Sequence, residues 1–215
     1  MIGVGLSTAL QKALAVSLGL CLSLAVAPLA GLAQANLRNS FPGRRVGGGT
    51  RGECSARTLV HLVPDRSVFA PGSTGDLALV QGPTANPVSL TMTFKPEAGG
   101  ASSSQTLPAS SAGVTLVRRA TISAPTIWES GFDCASGDAV ASADPLSFIE
   151  TASPPAVSLL LSTAEASDTQ VQKSLQTLRQ SCGATVPAAE TLAQFGLADV
   201  VTAEWPQQLP VRCPS

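Results

Sequence analysis

Chemistry-bearing residues are densest in Phe41-Pro42-Gly43-Arg44-Arg45-Val46-Gly47-Gly48-Gly49-Thr50-Arg51-Gly52, with Arg38 and Arg57 flanking the run. Successive glycine amides can form an anion-binding nest. Arg44, Arg45 and Arg51 beside Gly47, Gly48 and Gly49 could then hold a phosphate, sulfate or carboxylate. The run is no phosphate-binding P-loop, because the Gly-Lys-Ser/Thr ending and the preceding strand are both absent. The plainer reading, and the favoured one, is a flexible arm docked by its arginines onto the domain's own carboxylates.

His61 is the single histidine and lies in the apolar run Leu59-Val60-His61-Leu62-Val63. A Ser-His-Asp or Cys-His device draws its partners from anywhere in a chain. Nothing marks such a partner: no Gly-x-Ser-x-Gly elbow occurs, and the cysteines have a better use as disulfides. A structural or surface histidine is therefore expected. One histidine and separated cysteines without a Cys-x-x-Cys pattern give no zinc ligand set. The 14 acidic residues are scattered, and no short cluster resembles a calcium loop. Glu129 and Asp133 share a strand face at a separation of roughly 13 Å, too wide for the usual glycosidase pair. They read as a solvated face, with carboxylates gathered from different strands as the hydrolase alternative. No catalytic residue, cofactor or metal is assigned.

The elements that must hold these residues begin with a leader. Lys12 is the only charge before Arg38, and Ala13 to Ala27 is a nearly continuous apolar run ended by Pro28. That run is short for a membrane span. It is followed by Ala33-Gln34-Ala35, the small-x-small pattern of a signal-peptidase site, so residues 1–35 are expected to be a signal peptide cleaved before Asn36. The predicted destination is secreted or periplasmic, with membrane contact only through the transient signal. A lipoprotein route is disfavoured by Leu18-Gly19-Leu20 before Cys21. The remaining chain carries 12 basic and 14 acidic residues. With one local basic patch, no tyrosine and little aromatic content, nucleic acid is not an expected partner.

Four cysteines follow the leader: Cys54, Cys134, Cys182 and Cys213. An even number in an exported chain predicts two disulfides with three possible pairings. Chain order favours Cys54 with Cys134 and Cys182 with Cys213, contributing about 4.5 and 3.5 kcal/mol in the chain-entropy model.

Residues 36–53 are expected to form an Arg/Gly-rich, extended and largely solvated leader. A β-sandwich domain is expected over 54–162. Its clearest strand is Val88 to Phe94, where apolar residues alternate with Ser and Thr. Thr58–Val63, Leu77–Gln81, Val114–Arg118, Ile127–Cys134, Leu146–Thr151 and Ala156–Leu161 are the other predicted strands. Their spacing argues for an Ig-like antiparallel β-sandwich rather than βαβ units. Trp128, Phe132 and Cys134 fall on one face, which predicts a buried tryptophan beside a disulfide. Ala98 to Ala112 should be an exposed loop.

After Leu161 the period changes, and 163–215 is expected to be a short C-terminal α-helical segment. Ser162 or Thr163 can cap a helix whose stripe is Val171, Leu175, Leu178 and Cys182, stopped by Gly183. A second helical stretch covers Ala188 to Phe195 and Leu197 to Glu204. Leu192, Phe195, Val200 and Trp205 then need a surface to cover.

Pro42-Gly43-Arg44-Arg45 running into Gly47 to Gly52 and Cys54, followed by Leu62-Val63-Pro64, resembles a family of secreted cyanobacterial proteins catalogued as domain of unknown function 928 (DUF928). Trp128, Phe132 and Cys134 resemble the family's second cysteine strand, and Leu175 to Arg179 with Gly196-Leu197-Ala198-Asp199-Val200 resemble its C-terminal helical segment. These patches span most of the chain after residue 35. The family's central aromatic strand is replaced here by the plainer Ala78 to Phe94 region, and the helical linker is shortened. The resemblance implies export and a β-sandwich followed by helices, and it implies no known enzyme chemistry.

The function expected from these observations is a non-enzymatic binding or envelope-associated module, holding an envelope protein or anionic ligand through the Arg/Gly arm. The rivals are an envelope-polymer hydrolase and a purely structural protein whose arm seals a sheet edge.

Overall fold

A computed structural model describes residues 36–49, 57–133 and 154–214. The signal segment, Arg51, Cys54, Cys134 and the expected strand Leu146–Thr151 lie outside the described residues. The chain divides into two compact units, residues 1–39 and 40–215. Of the first, residues 36–39 are described, and they are helical.

The second unit is mainly β. Its described strands are β1 (Val46–Gly49), β2 (Arg57–His61), β3 (Val68–Phe69), β4 (Asp76–Gln81), β5 (Leu90–Pro96), β6 (Ser103–Leu107), β7 (Gly113–Arg118), β8 (Thr126–Phe132), β9 (Ala156–Leu160), β10 (Thr185–Pro187) and β11 (Gln208–Arg212). The helices are α1 (Ala166–Gln180) and α2 (Ala188–Ala193). The strands form two sheets, one ordered β1-β2-β4-β7-β11-β10 and the other β3-β9-β8-β5-β6. This is the two-sheet sandwich with helices towards the C-terminus that the strand spacing predicts. Pairing is antiparallel except at β7 with β11 and β3 with β9.

Alternation decides which residues fill the space between the sheets. Leu90, Met92 and Phe94 of β5 and Trp128 and Ser130 of β8 are buried, while Thr91, Thr93 and Glu129 between them are half-exposed on the outer face. Strand β4 differs, because all six of its residues are buried. It is covered on one side by the second sheet and on the other by α1, so it reads as a continuous apolar run rather than an alternating one. Val171, Leu175 and Leu178 are the buried stripe of α1 and belong to the same core as Ala78, Val80 and Leu116. At about 25 cal/mol per Å² of apolar surface, such a leucine stabilises the fold by roughly 2 kcal/mol.

Four expectations are corrected. The helix cap lies two to three residues later than expected: Glu165 is the N-cap, in a capping box with Asp168, whose carboxylate accepts the Glu165 amide at 2.8 Å. Part of the expected loop Ala98 to Ala112 is β6, missed because its first four residues are exposed and polar and so carry no apolar alternation. The segment 163–215 is not all helical, since β10 and β11 join the first sheet. The helix stripe stops short of Cys182, which sits in the turn after α1, and Cys182 is bonded to Cys213 beyond β11. Leu192, Phe195, Leu197 and Trp205 are buried in the core, with Val200 packed against it, as their apolar character requires.

Candidate functional site

The Arg/Gly run is a strand rather than a solvated leader. Strand β1 pairs with β2, from Val46 opposite Val60 to Gly49 opposite Arg57. The same backbone also reaches the other sheet. Arg44 and Val157 exchange amide hydrogen bonds of 2.9 and 2.7 Å, and the Gly48 amide donates to the Pro154 carbonyl at 3.0 Å. The arm thus closes the seam between β2 and β9.

That position accounts for the glycines. A Cβ on Gly47 would stand 2.4 Å from the Ala156 amide nitrogen, and one on Gly48 would stand 1.9 Å from the Arg57 carbonyl oxygen. Gly48 also has φ of +117°, a conformation that side chains disfavour. The described amides of this run, up to Gly49, serve the sheets rather than an anion nest.

The arginines divide in role. Arg45 is a half-buried clamp whose guanidinium donates to the carbonyls of Val63 at 3.0 Å, Phe195 at 2.8 Å and Gly196 at 3.1 Å. It also pairs with Asp65 at 2.6 Å. This is the docking onto the domain itself that the plainer reading expects, although carbonyls outnumber the carboxylate. Arg44 is exposed, and Arg57, buried in β2, donates to the Asn86 carbonyl at 2.5 Å.

His61 is fully buried between the sheets. Its Nδ1 is 2.8 Å from Ser158 Oγ and its Nε2 is 2.8 Å from Ser130 Oγ, both hydroxyls being as buried as the ring. The imidazole stacks on Trp128 with ring centroids 3.5 Å apart and planes 8° from parallel. Burial pushes the His61 pKa down to about 3, so the ring is neutral, donating through one nitrogen and accepting through the other. The tryptophan expected beside a disulfide is thus buried as expected, with a histidine stacked on it. A Ser–His contact exists, but solvent and substrate do not reach it. The device is a polar clip joining β2 to β8 and β9.

The carboxylates expected on a solvated face are found there. Glu129 pairs with Lys95 at 3.2 Å, and Asp133 accepts from the Thr91 hydroxyl at 3.0 Å. Among the described residues no three His, Cys, Asp or Glu side chains gather where they could hold a metal ion.

Sequence reasoning missed a cavity of about 460 Å³ lined by Gln105, Val117, Arg118, Arg179, Cys213 and Pro214. Asp76, at the start of β4, is only 6% exposed and receives Arg179 Nη2 at 2.5 Å and Arg118 Nε at 3.4 Å. Register sets this up: Asp76 stands opposite Arg118 in the β4–β7 ladder, and Arg179 is in the last turn of α1, which packs on those strands. No local motif signals it, because the lining residues come from four separate segments.

Comparisons with protein-family models, with curated proteins and with solved structures found no match.

Proposed function

We propose that this protein is an exported, non-enzymatic binding module of the cell envelope, with the disulfide-braced sandwich as scaffold. The observation that carries the reading is the contrast between its two polar centres. The histidine that could drive nucleophilic catalysis is sealed in the core with both of its hydroxyl partners, whereas the open cavity presents two arginines and, among its described lining residues, no base. Charge with shape, and no proton-transfer group, suits recognition rather than turnover.

The arm supports this role indirectly. Arg45 and the three glycines serve the sandwich seam, so the structural rival describes that part of the arm, and among the arm's described residues Arg44 is the cation left for a partner. Membership of the secreted DUF928 family, and a secreted or periplasmic destination, belong to the same proposal. They rest on the 1–35 segment and on the quoted motif residues.

The test is recovery of partners from envelope extracts by the purified mature protein, together with mass spectrometry of the exported form. The expected result is an N-terminus at Asn36, a Cys182–Cys213 cross-link and salt-sensitive capture that weakens in Arg44→Ala. Full-length protein with free thiols in the cytoplasm, or hydrolysis of envelope polymers by the pure protein, would overturn the reading.

A further inference from the structure

We propose that the cavity beside α1 binds a monoanionic carboxylate carried on a small apolar body, gripped by Arg118 against the fixed charge of Arg179. The inference rests on the binding-module reading and names the site and ligand class it would use.

The charges around Asp76 do not close. Two guanidiniums share one buried carboxylate, which among the described residues leaves one positive charge over at the cavity wall. Arg179 is held by two acceptors, Asp76 and the Val117 carbonyl, and its Nε is buried without a partner among the described residues. It is a fixed cation, 23% exposed. Arg118 differs: it touches Asp76 through Nε, is 65% exposed, and its two terminal nitrogens, which have no partner among the described residues, can form a fork. A planar carboxylate matches such a fork with two parallel hydrogen bonds.

The remaining lining sets the rest of the ligand. Val117, Pro214 and the Cys213 end of the disulfide give apolar surface, and Gln105 of β6 adds one neutral amide. The neighbouring Arg119 is engaged elsewhere, stacked 4.1 Å over the Phe94 ring and donating to Ser103. A volume of about 460 Å³ is in the range of small-molecule sites.

Charge also discriminates within oxyanions. One carboxylate brings the site to two cations and two anions. A phosphate dianion would leave one net negative charge beside the buried Asp76 carboxylate, which like-charge repulsion disfavours.

The experiment is an NMR titration of the full mature protein with benzoate, benzamide and phenyl phosphate, following the Nε–H resonances of Arg118 and Arg179. Benzoate should shift both saturably with a Kd on the order of 1 mM, and at least ten-fold more tightly than either other probe. Arg118→Gln leaves Asp76 paired with Arg179, so the fold should persist with an unchanged thermal midpoint while benzoate affinity drops at least ten-fold. Benzamide binding as well as benzoate, phenyl phosphate binding more tightly, or Arg118→Gln binding benzoate normally would each overturn the proposal. Failure here with intact capture from envelope extracts sinks the pocket alone. Loss of that capture with benzoate binding intact sinks the module reading and spares the pocket.

Discussion

Replacing Arg45 by alanine strips a donor from three carbonyls at once, two of them at the end of α2 and one in the loop after β2. Each lost charge-assisted bond is worth on the order of 1 kcal/mol, and the exposed Asp65 partner adds little. Arg45→Ala should therefore lower unfolding free energy by about 2–4 kcal/mol in urea titration, while Arg44→Ala stays within about 0.5 kcal/mol of the parent. Two adjacent arginines in one motif thus separate into a clamp and an exposed cation, a distinction that residue type alone does not make. At His61 the pH dependence has a definite sign. The unfolded ring titrates near 6.5 and the folded one near 3, so between these values only the unfolded chain takes the proton. Stability present above pH 6.5 is lost as pH falls, by up to about 5 kcal/mol at the lower end. His61→Phe keeps a ring against Trp128 but leaves two buried hydroxyls unpaired. It should be less stable at pH 7 and show a distinctly shallower fall in unfolding free energy between pH 6.5 and 4.

Whether a strand could be seen beforehand depended on what it packs against. Strands β2, β4, β5, β7, β8 and β9 bury apolar side chains in a local pattern, and their expected and observed ends agree to within two residues. Strand β1 holds three glycines, β6 holds exposed Ser, Gln and Thr, and β11 carries Pro210 at its centre. They are strands because of their neighbours, and context of that kind leaves no periodicity to read. In β1 the neighbour also dictates the residue: Gly48→Ala would drive a methyl group into the Arg57 carbonyl. That substitution should cost more than 2 kcal/mol and raise amide exchange along β1 and at Arg44, as followed by hydrogen–deuterium exchange.

On the scale of the whole molecule, the Cys182–Cys213 bridge ties the end of α1 to the end of β11 across 31 residues. Its replacement by two serines should lower stability by about 3 kcal/mol with little change in far-ultraviolet circular dichroism. The sandwich class, the sealed histidine's structural role and this cysteine pairing were all open to inference from residue types and order. The cavity beside α1 was not, because Asp76, Gln105, Arg118 and Arg179 meet only after two sheets and a helix have assembled. Sites of that sort are properties of topology, invisible to any window moved along the chain.

Strand β11 lies between β7 and β10, and its pairing with β7 is parallel. No hairpin can therefore join it to β7, and the first sheet keeps a vacant lane between β7 and β10 until residue 212 has been synthesised. Long-range, late-arriving strands of this kind close slowly. A ribosome-bound chain stopped before Gln208 should stay protease-sensitive at β7 and β10, with compaction delayed until the last strand is released.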